Sequence, residues 1–262
     1  MEKELKRGTE HPLSKLANEA YTVFTELGFE IATGPELESE WYNFDALNVS
    51  KDHPARDMQD TFWIKNAGKR SDLQGAQGPT LGNASVLRTQ ATNVTARALE
   101  NANKENILPC AFISIGKVFR NEATDATHEM QFFQIDGTMV GEDISIADLK
   151  GTLTHFYKKM LGDDIEIEFR PSFFPFTEPS IEVFAKFSAK GGSTSGGKGE
   201  TKWLEMMGAG MLHPNVLRNL GLDPEKVQGF AFGGGLDRIA MIKWNIPDVR
   251  LFYQGDLRFN QF

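Results

Sequence analysis

Apolar positions along the chain alternate between a helical and a strand-like rhythm. In SKLANEAYTVFTEL (14–27), Leu16, Ala20, Val23, Phe24 and Leu27 share one helical face, with Ser14 as the N-cap and Gly28 as the C′ residue. An extended stretch follows and Pro35 closes it. Residues 65–84 are rich in Gly, Asn, Ser and Lys and read as a long loop. The pattern predicts a helix over 92–106, an antiparallel strand pair over 111–120 and 131–140, and an amphipathic helix over 145–161. Residues 165–171 and 181–187 alternate as strands do. Between 188 and 200 five glycines and no large apolar residue mark a linker or hairpin tip. A short helix starts at Pro214, and 229–244 runs from strand into helix. The sum is an antiparallel sheet with flanking helices, an α+β fold.

At 262 residues the chain is long enough for one large core. It carries no apolar run of membrane-spanning length, and its first residues lack the apolar segment of a signal peptide. The single Cys110 excludes an internal disulfide and a cysteine-based zinc cluster, and the five histidines are scattered. A cytoplasmic protein is the expectation. The net charge of −8 argues against broad nucleic-acid binding by this chain alone, since that mode needs a basic surface.

Chemistry concentrates in KVFRNEATDATHEMQFFQIDG (117–137). A strand ends in Arg120, a polar turn carries Glu122 and His128, and the chain returns through Phe132, Gln134 and Asp136. A cation, an aromatic face and a carboxylate on one hairpin suit a nucleotide beside a small amine. Arg120 can neutralise phosphate, Phe132 can stack a base, and Asp136 can hold an ammonium. In FFPF (173–176), Phe174 and Phe176 are expected two apart on an extended segment, pointing the same way. The GGG at 233–235 lacks the spacing and the parallel context of a dinucleotide fingerprint. It reads instead as a close backbone approach that leaves room for a ligand ahead of Arg238.

The 117–137 stretch resembles motif 2 of class II aminoacyl-tRNA synthetases, in the form found in bacterial-type phenylalanyl-tRNA synthetase alpha subunits. Five further blocks agree in the family's order: GFEIATGPELESEWYNFDALN (28–48), DHPARDMQDTFW (52–63), FFPFTEP (173–179), WLEMMGAGMLHP (203–214) and GFAFGGGLDRIAM (229–241), the last similar to motif 3. The likeness runs from about His11 to the C-terminus, so residues 1–10 are expected to be a tail and 11–262 the catalytic domain. The family's long N-terminal helical hairpin is not among the matching stretches. The helix–strand–Pro unit at the start resembles motif 1, which in this class builds a subunit interface.

The resemblance implies activation of phenylalanine with ATP and, with a beta subunit in an alpha2beta2 assembly, transfer to tRNA(Phe). By the family pattern Arg120 contacts the α-phosphate and the attacking carboxylate, and His128 and Arg238 bind the outer phosphates. Phe132 stacks on adenine, Glu122 receives its amino group, and Gly233 and Gly235 give the nucleotide room. Gln134 and Asp136 hold the substrate ammonium, with Gln90 and Thr92 beside them. Phe174, Phe176, Thr177 and Ala231 form the side-chain pocket. Magnesium is implied; Glu205 is the metal candidate, with a structural strand role as the alternative. Three positions depart from the family: Gln90-Ala91-Thr92 replaces His-Thr-Ser, Asp136 replaces Glu, and Asp237 precedes Arg238 where Glu is usual. One rival reading keeps the fold and drops the reaction: a synthetase-like protein that binds amino acid or nucleotide without charging tRNA. Another is a class II-like enzyme that adenylates an amino acid for a different acceptor.

Overall fold

The computed structural model describes residues 8–49, 51, 61–64, 85–188 and 201–256. The expected loop at 65–84, most of the 52–63 block and residues 189–200 lie outside the described residues.

Helix α1 (Pro12–Glu26) begins ahead of its expected start, and His11 rather than Ser14 caps it. Proline at the first helical position has its φ preset for the helix and lacks an N–H that would be orphaned there. The Leu13 N–H donates to His11 Nδ1 at 3.2 Å, and His11 Nε2 lies 3.0 Å from the Phe252 carbonyl. At the other end Gly28 adopts φ +88°, the left-handed C′ geometry that the sequence indicates.

The main sheet has seven strands. At one edge β1 (Glu30–Ile31) runs parallel to β5 (Cys110–Phe119), which pairs antiparallel with β6 (Gln131–Gly141). Then come β10 (Gln228–Gly235), β9 (Thr201–Leu212), β8 (Thr177–Ser188) and β7 (Ile167–Phe174), all antiparallel to their neighbours. The expected strand pair is therefore present with nearly its expected limits. A small sheet, β2 (Leu37–Ser39), β4 (Ser85–Leu87) and β3 (Trp63–Ile64), was not expected. Strands of two or three residues show no readable alternation.

Each face of the large sheet has its own core. The rear face packs against α1, α4 (Ile146–Leu161) and α6 (Leu236–Trp244), burying Leu16, Phe24, Ile135, Phe156, Phe230 and Ile239. Phe24 stacks on Phe232 with ring centroids 5.2 Å apart. Helix α4 starts at a capping box in which the Ser145 N–H and hydroxyl both donate to Asp148 Oδ2, at 2.9 and 2.6 Å. On the front face α2 (Glu40–Asn43), α3 (Thr92–Lys104) and α5 (Pro214–Asn219) cover a second cluster that includes Phe44, Leu47, Leu99, Leu217 and Ala231. That cluster leaves a strip of sheet free of bulky core residues. Among the described residues no helix is long and apolar enough to cross a membrane.

Candidate active site

Residues two apart on a strand share a face. Phe132, Gln134 and Asp136 therefore line one side of β6. Register sets Gly235 opposite Gln134, Gly233 opposite Asp136 and Ala231 opposite Thr138. The rows continue from Gly233 to Gly208 and from Ala231 to Gly210 on β9. The strip is thus floored largely by glycine, and side chains from the walls lie across it. A Cβ on Gly233 would stand 2.8 Å from Asp136 Oδ2 and 3.2 Å from Gln134 Nε2. One on Gly208 would meet the Phe174 ring at 2.6 Å, and one on Gly210 would meet Thr177 Cβ at 2.6 Å. At Gly233 the close approach is to neighbouring side chains, and it extends to β9; at Gly235 only the Arg238 Cβ lies within 4 Å, at 3.9 Å.

Asp136 is 1% exposed. Thr92 Oγ1 donates to its Oδ2 at 2.6 Å and Thr95 Oγ1 to its Oδ1 at 2.7 Å. Burial pushes its carboxyl up to about 7, while both hydroxyls and nearby Arg88 act in the opposite sense. Gln134 Oε1 accepts the Ala91 N–H at 2.8 Å, which ties the start of α3 to β6. Gln90 points its amide at the Asn43 carbonyl, 3.1 Å away. Of the three residues in the altered His-Thr-Ser segment, only Thr92 reaches Asp136.

FFPF is not an extended segment. Strand β7 ends at Phe174 and β8 starts at Thr177, so Pro175 and Phe176 form the turn of a tight hairpin. The two rings still meet, stacked with centroids 5.8 Å apart and planes 10° from parallel. A ring inserted between two faces needs about 7 Å, twice a carbon–carbon contact. A third aromatic ring therefore meets this pair at its edges. The hairpin is locked from below: the Phe174 N–H donates to Ser180 Oγ at 3.0 Å, and Thr177 Oγ1 lies 2.7 Å from the same oxygen. Phe176 packs against the front-face cluster that contains Ala231.

Arg120 directly follows β5. Its guanidinium sits 5.2 Å over the Phe132 ring, and its Nε is 3.5 Å from the Thr89 carbonyl. Burial lowers its pKa and Glu122 acts against that, so these two expected site residues are electrostatically coupled. His128 is exposed on the turn, with Nδ1 3.0 Å from Asp125 Oδ1. Arg238, in the first turn of α6, donates to the Glu205 carbonyl at 2.8 Å. The Glu205 carboxylate itself is exposed on β9. Beside Arg238, Asp237 is buried, accepts the Phe133 N–H at 2.7 Å and bonds the Tyr253 hydroxyl. Burial lifts its carboxyl to about 6. It fastens α6 to β6 from behind the strip.

Two residues of this region escaped the sequence reading. Thr95 stands one turn beyond Thr92, and their spacing of three on a predicted helix was the available signal. Arg88 is buried and donates from Nε to the Lys117 carbonyl at 2.7 Å, and from Nη1 to Gly34 and Pro35 at 3.3 and 3.4 Å. Gly116 makes room for it, since a Cβ there would lie 2.2 Å from Nη2. Nothing in sequence distinguishes such a buried arginine from a surface one.

Open volume lies elsewhere as well. A cavity of about 440 Å³ opens between 32–35 and α3, and one of about 390 Å³ lies behind β5 and β6 near Tyr253. Neither is lined by Asp136, Phe174 or Arg238. The strip is the candidate site because it gathers the polar and cationic residues that the sequence motifs single out. As for metals, no group of three or more His, Cys, Asp or Glu side chains able to hold an ion occurs among the described residues.

Comparison with known proteins gives the family. The family described as "tRNA synthetases class II core domain (F)" matches residues 1–262. A phenylalanine–tRNA ligase alpha subunit of Macrococcus caseolyticus is 49% identical over 258 residues, covering 98% of this chain and 67% of the relative. The same subunit from Clostridium perfringens is 48% identical, covering 97% of this chain and 69% of the relative. That of Bacillus pumilus is 46% identical, covering 98% and 69%.

Proposed function

The chain belongs to the class II tRNA synthetases, in the core-domain family of the phenylalanine–tRNA ligase alpha subunits, and from that premise we propose that it activates L-phenylalanine with ATP. One substrate carboxylate oxygen attacks the α-phosphorus in line and the bond to the bridging oxygen breaks. Phenylalanyl adenylate forms and pyrophosphate leaves. With a beta subunit the phenylalanyl group then passes to a terminal hydroxyl of tRNA(Phe), and AMP departs. The setting is the cytoplasm, and the assembly is alpha2beta2.

The observation that carries this reading is the single strip of sheet shared by Arg120, Phe132, Gln134 and Asp136 on one side and the β10 glycines and Arg238 on the other. The reaction joins two anions, so positioned cations do most of the work. Arg120 meets the α-phosphate and the attacking carboxylate. Arg238 and His128 meet the outer phosphates, and for His128 this means exchanging Asp125 for a phosphate. Adenine stacks on Phe132 with Glu122 at its amino group. A base between that ring and the Arg120 guanidinium needs about 7 Å, so stacking uses the far face of the ring or moves Arg120 aside. Asp136 and Gln134 receive the ammonium. The edges of Phe174 and Phe176 receive the phenyl ring, with Thr177 below and Ala231 at its para end.

Magnesium enters with ATP as part of the substrate. Among the described residues no group of three or more His, Cys, Asp or Glu side chains forms a resident cage, so Glu205 would serve at most as one ligand. This suits an ion that keeps phosphate and water as its main ligands.

The test is phenylalanine-dependent exchange of labelled pyrophosphate into ATP, by this chain alone and with a bacterial-type beta subunit. Exchange in either sample supports the reading. No exchange in both, with folded protein, overturns it in favour of a binding-only role.

A further inference from the structure

Asp136 is gripped from one helical turn. Thr92 and Thr95, three residues apart in the first turn of α3, each donate to a different carboxylate oxygen, at 2.6 and 2.7 Å. The Thr95 hydroxyl has a second acceptor in reach, the Thr92 carbonyl at 3.0 Å. A hydroxyl has one hydrogen, and the nearer carboxylate is the stronger acceptor. The same turn is pinned to β6 by the Ala91 N–H on Gln134. From the opposite side only glycine fits at 233, since a Cβ there would lie 2.8 Å from Oδ2. The carboxylate therefore has a fixed position and fixed remaining lone pairs.

We propose that Thr95 is a positioning residue for amino-acid activation: with Thr92 it clamps Asp136 so that the carboxylate is aimed at the substrate ammonium. The proposal rests on the phenylalanine-activation reading and goes beyond the residues that the motifs single out. Thr95 does not itself touch the substrate. It acts by giving the buried Oδ1 a donor. The groups facing Asp136 are few. Helix α3 presents the two hydroxyls, β5 and β10 present Ser114 and Gly233 at the paired positions, and Arg88 is the cation that acts on it. Without the Thr95 hydroxyl, the protonated form gains near neutral pH, and a neutral acid holds an ammonium poorly.

The test compares wild type, Thr95→Val, Thr95→Ala and Thr95→Ser in the complex with the beta subunit. Pyrophosphate exchange is followed between pH 6 and 9, with KM for phenylalanine and for ATP measured separately. Loss of the hydroxyl is expected to raise the phenylalanine KM about tenfold and to leave the ATP KM within about twofold. The acid limb of kcat/KM for phenylalanine moves to higher pH, and Thr95→Ser restores both readings. Thr95→Ala carries the same expectation should the valine variant fail to fold. Wild-type values of KM and of the acid limb in Thr95→Val or Thr95→Ala overturn the proposal while the activation reading stands. So does an equal loss for both substrates that serine does not rescue, since that marks packing. A wild-type complex with no exchange overturns both.

Discussion

Arg120 and Asp136 sit in environments that oppose their charge, and each opposition is measurable. For Arg120 the burial that lowers its pKa also strengthens its field on a phosphate. Arg120→Ala is expected to slow pyrophosphate exchange by about 10²–10³-fold with an unchanged circular dichroism spectrum. For Asp136 the sign follows from a folded pKa of about 7 against roughly 4 in the unfolded chain. Between those values the folded state holds the extra proton, so stability falls as pH rises through the window and levels off above it. The cost of the ionised form is on the order of 4 kcal/mol. Asp237, raised to about 6, adds a loss of the same sign that is complete at lower pH. Asp136→Asn should therefore flatten the decline in urea stability between pH 5 and 7 while raising the phenylalanine KM. A decline as steep as in wild type would remove Asp136 from this account.

At the scale of elements, α1 depends on a cap that sequence preference did not single out. Serine is the usual N-cap, but Pro12 can occupy the first helical position, and His11 accepts the Leu13 N–H while reaching the Phe252 carbonyl. His11→Ala should cost about 1 kcal/mol in urea unfolding, the usual value of a lost cap. The long elements were legible because their periodicity is sustained: α3, α4, β5 and β6 lie close to their expected limits. The FFPF hairpin was not, because two apolar turn residues look like a continuing strand. Nor was the order of strands in the sheet, since the pairing of β6 with β10 joins residues about ninety apart in sequence. The motif 2 and motif 3 residues were legible as residues. Their common strip, and the roles of Thr95 and Arg88, depended on that pairing and on burial.

Over the whole molecule, the apolar surface is uneven. Ile31 on the edge strand β1 is 50% exposed and Ile107 is 49% exposed, with Trp41 and Leu108 also open. A sheet edge with apolar side chains is a surface that proteins usually cover. Its position in the helix–strand–Pro unit fits the proposed assembly with a beta subunit. Ile31→Glu is expected to weaken co-purification with that subunit and leave the thermal unfolding midpoint of the isolated chain nearly unchanged. Retention of full assembly would assign the interface to another face.

The glycine floor limits how this pocket can be altered. Positions 208, 210 and 233 have no side chain to trim, and enlarging any of them drives a methyl into Phe174, Thr177 or Asp136. In the proposed site, new substrates can therefore be admitted only by cutting back the walls or by removing the Ala231 methyl. A library that randomises the glycines should yield inactive variants, while one confined to Ala231, Phe174 and Phe176 should yield changed selectivity. The sheet fixes in advance which mutations are able to teach the protein a different amino acid.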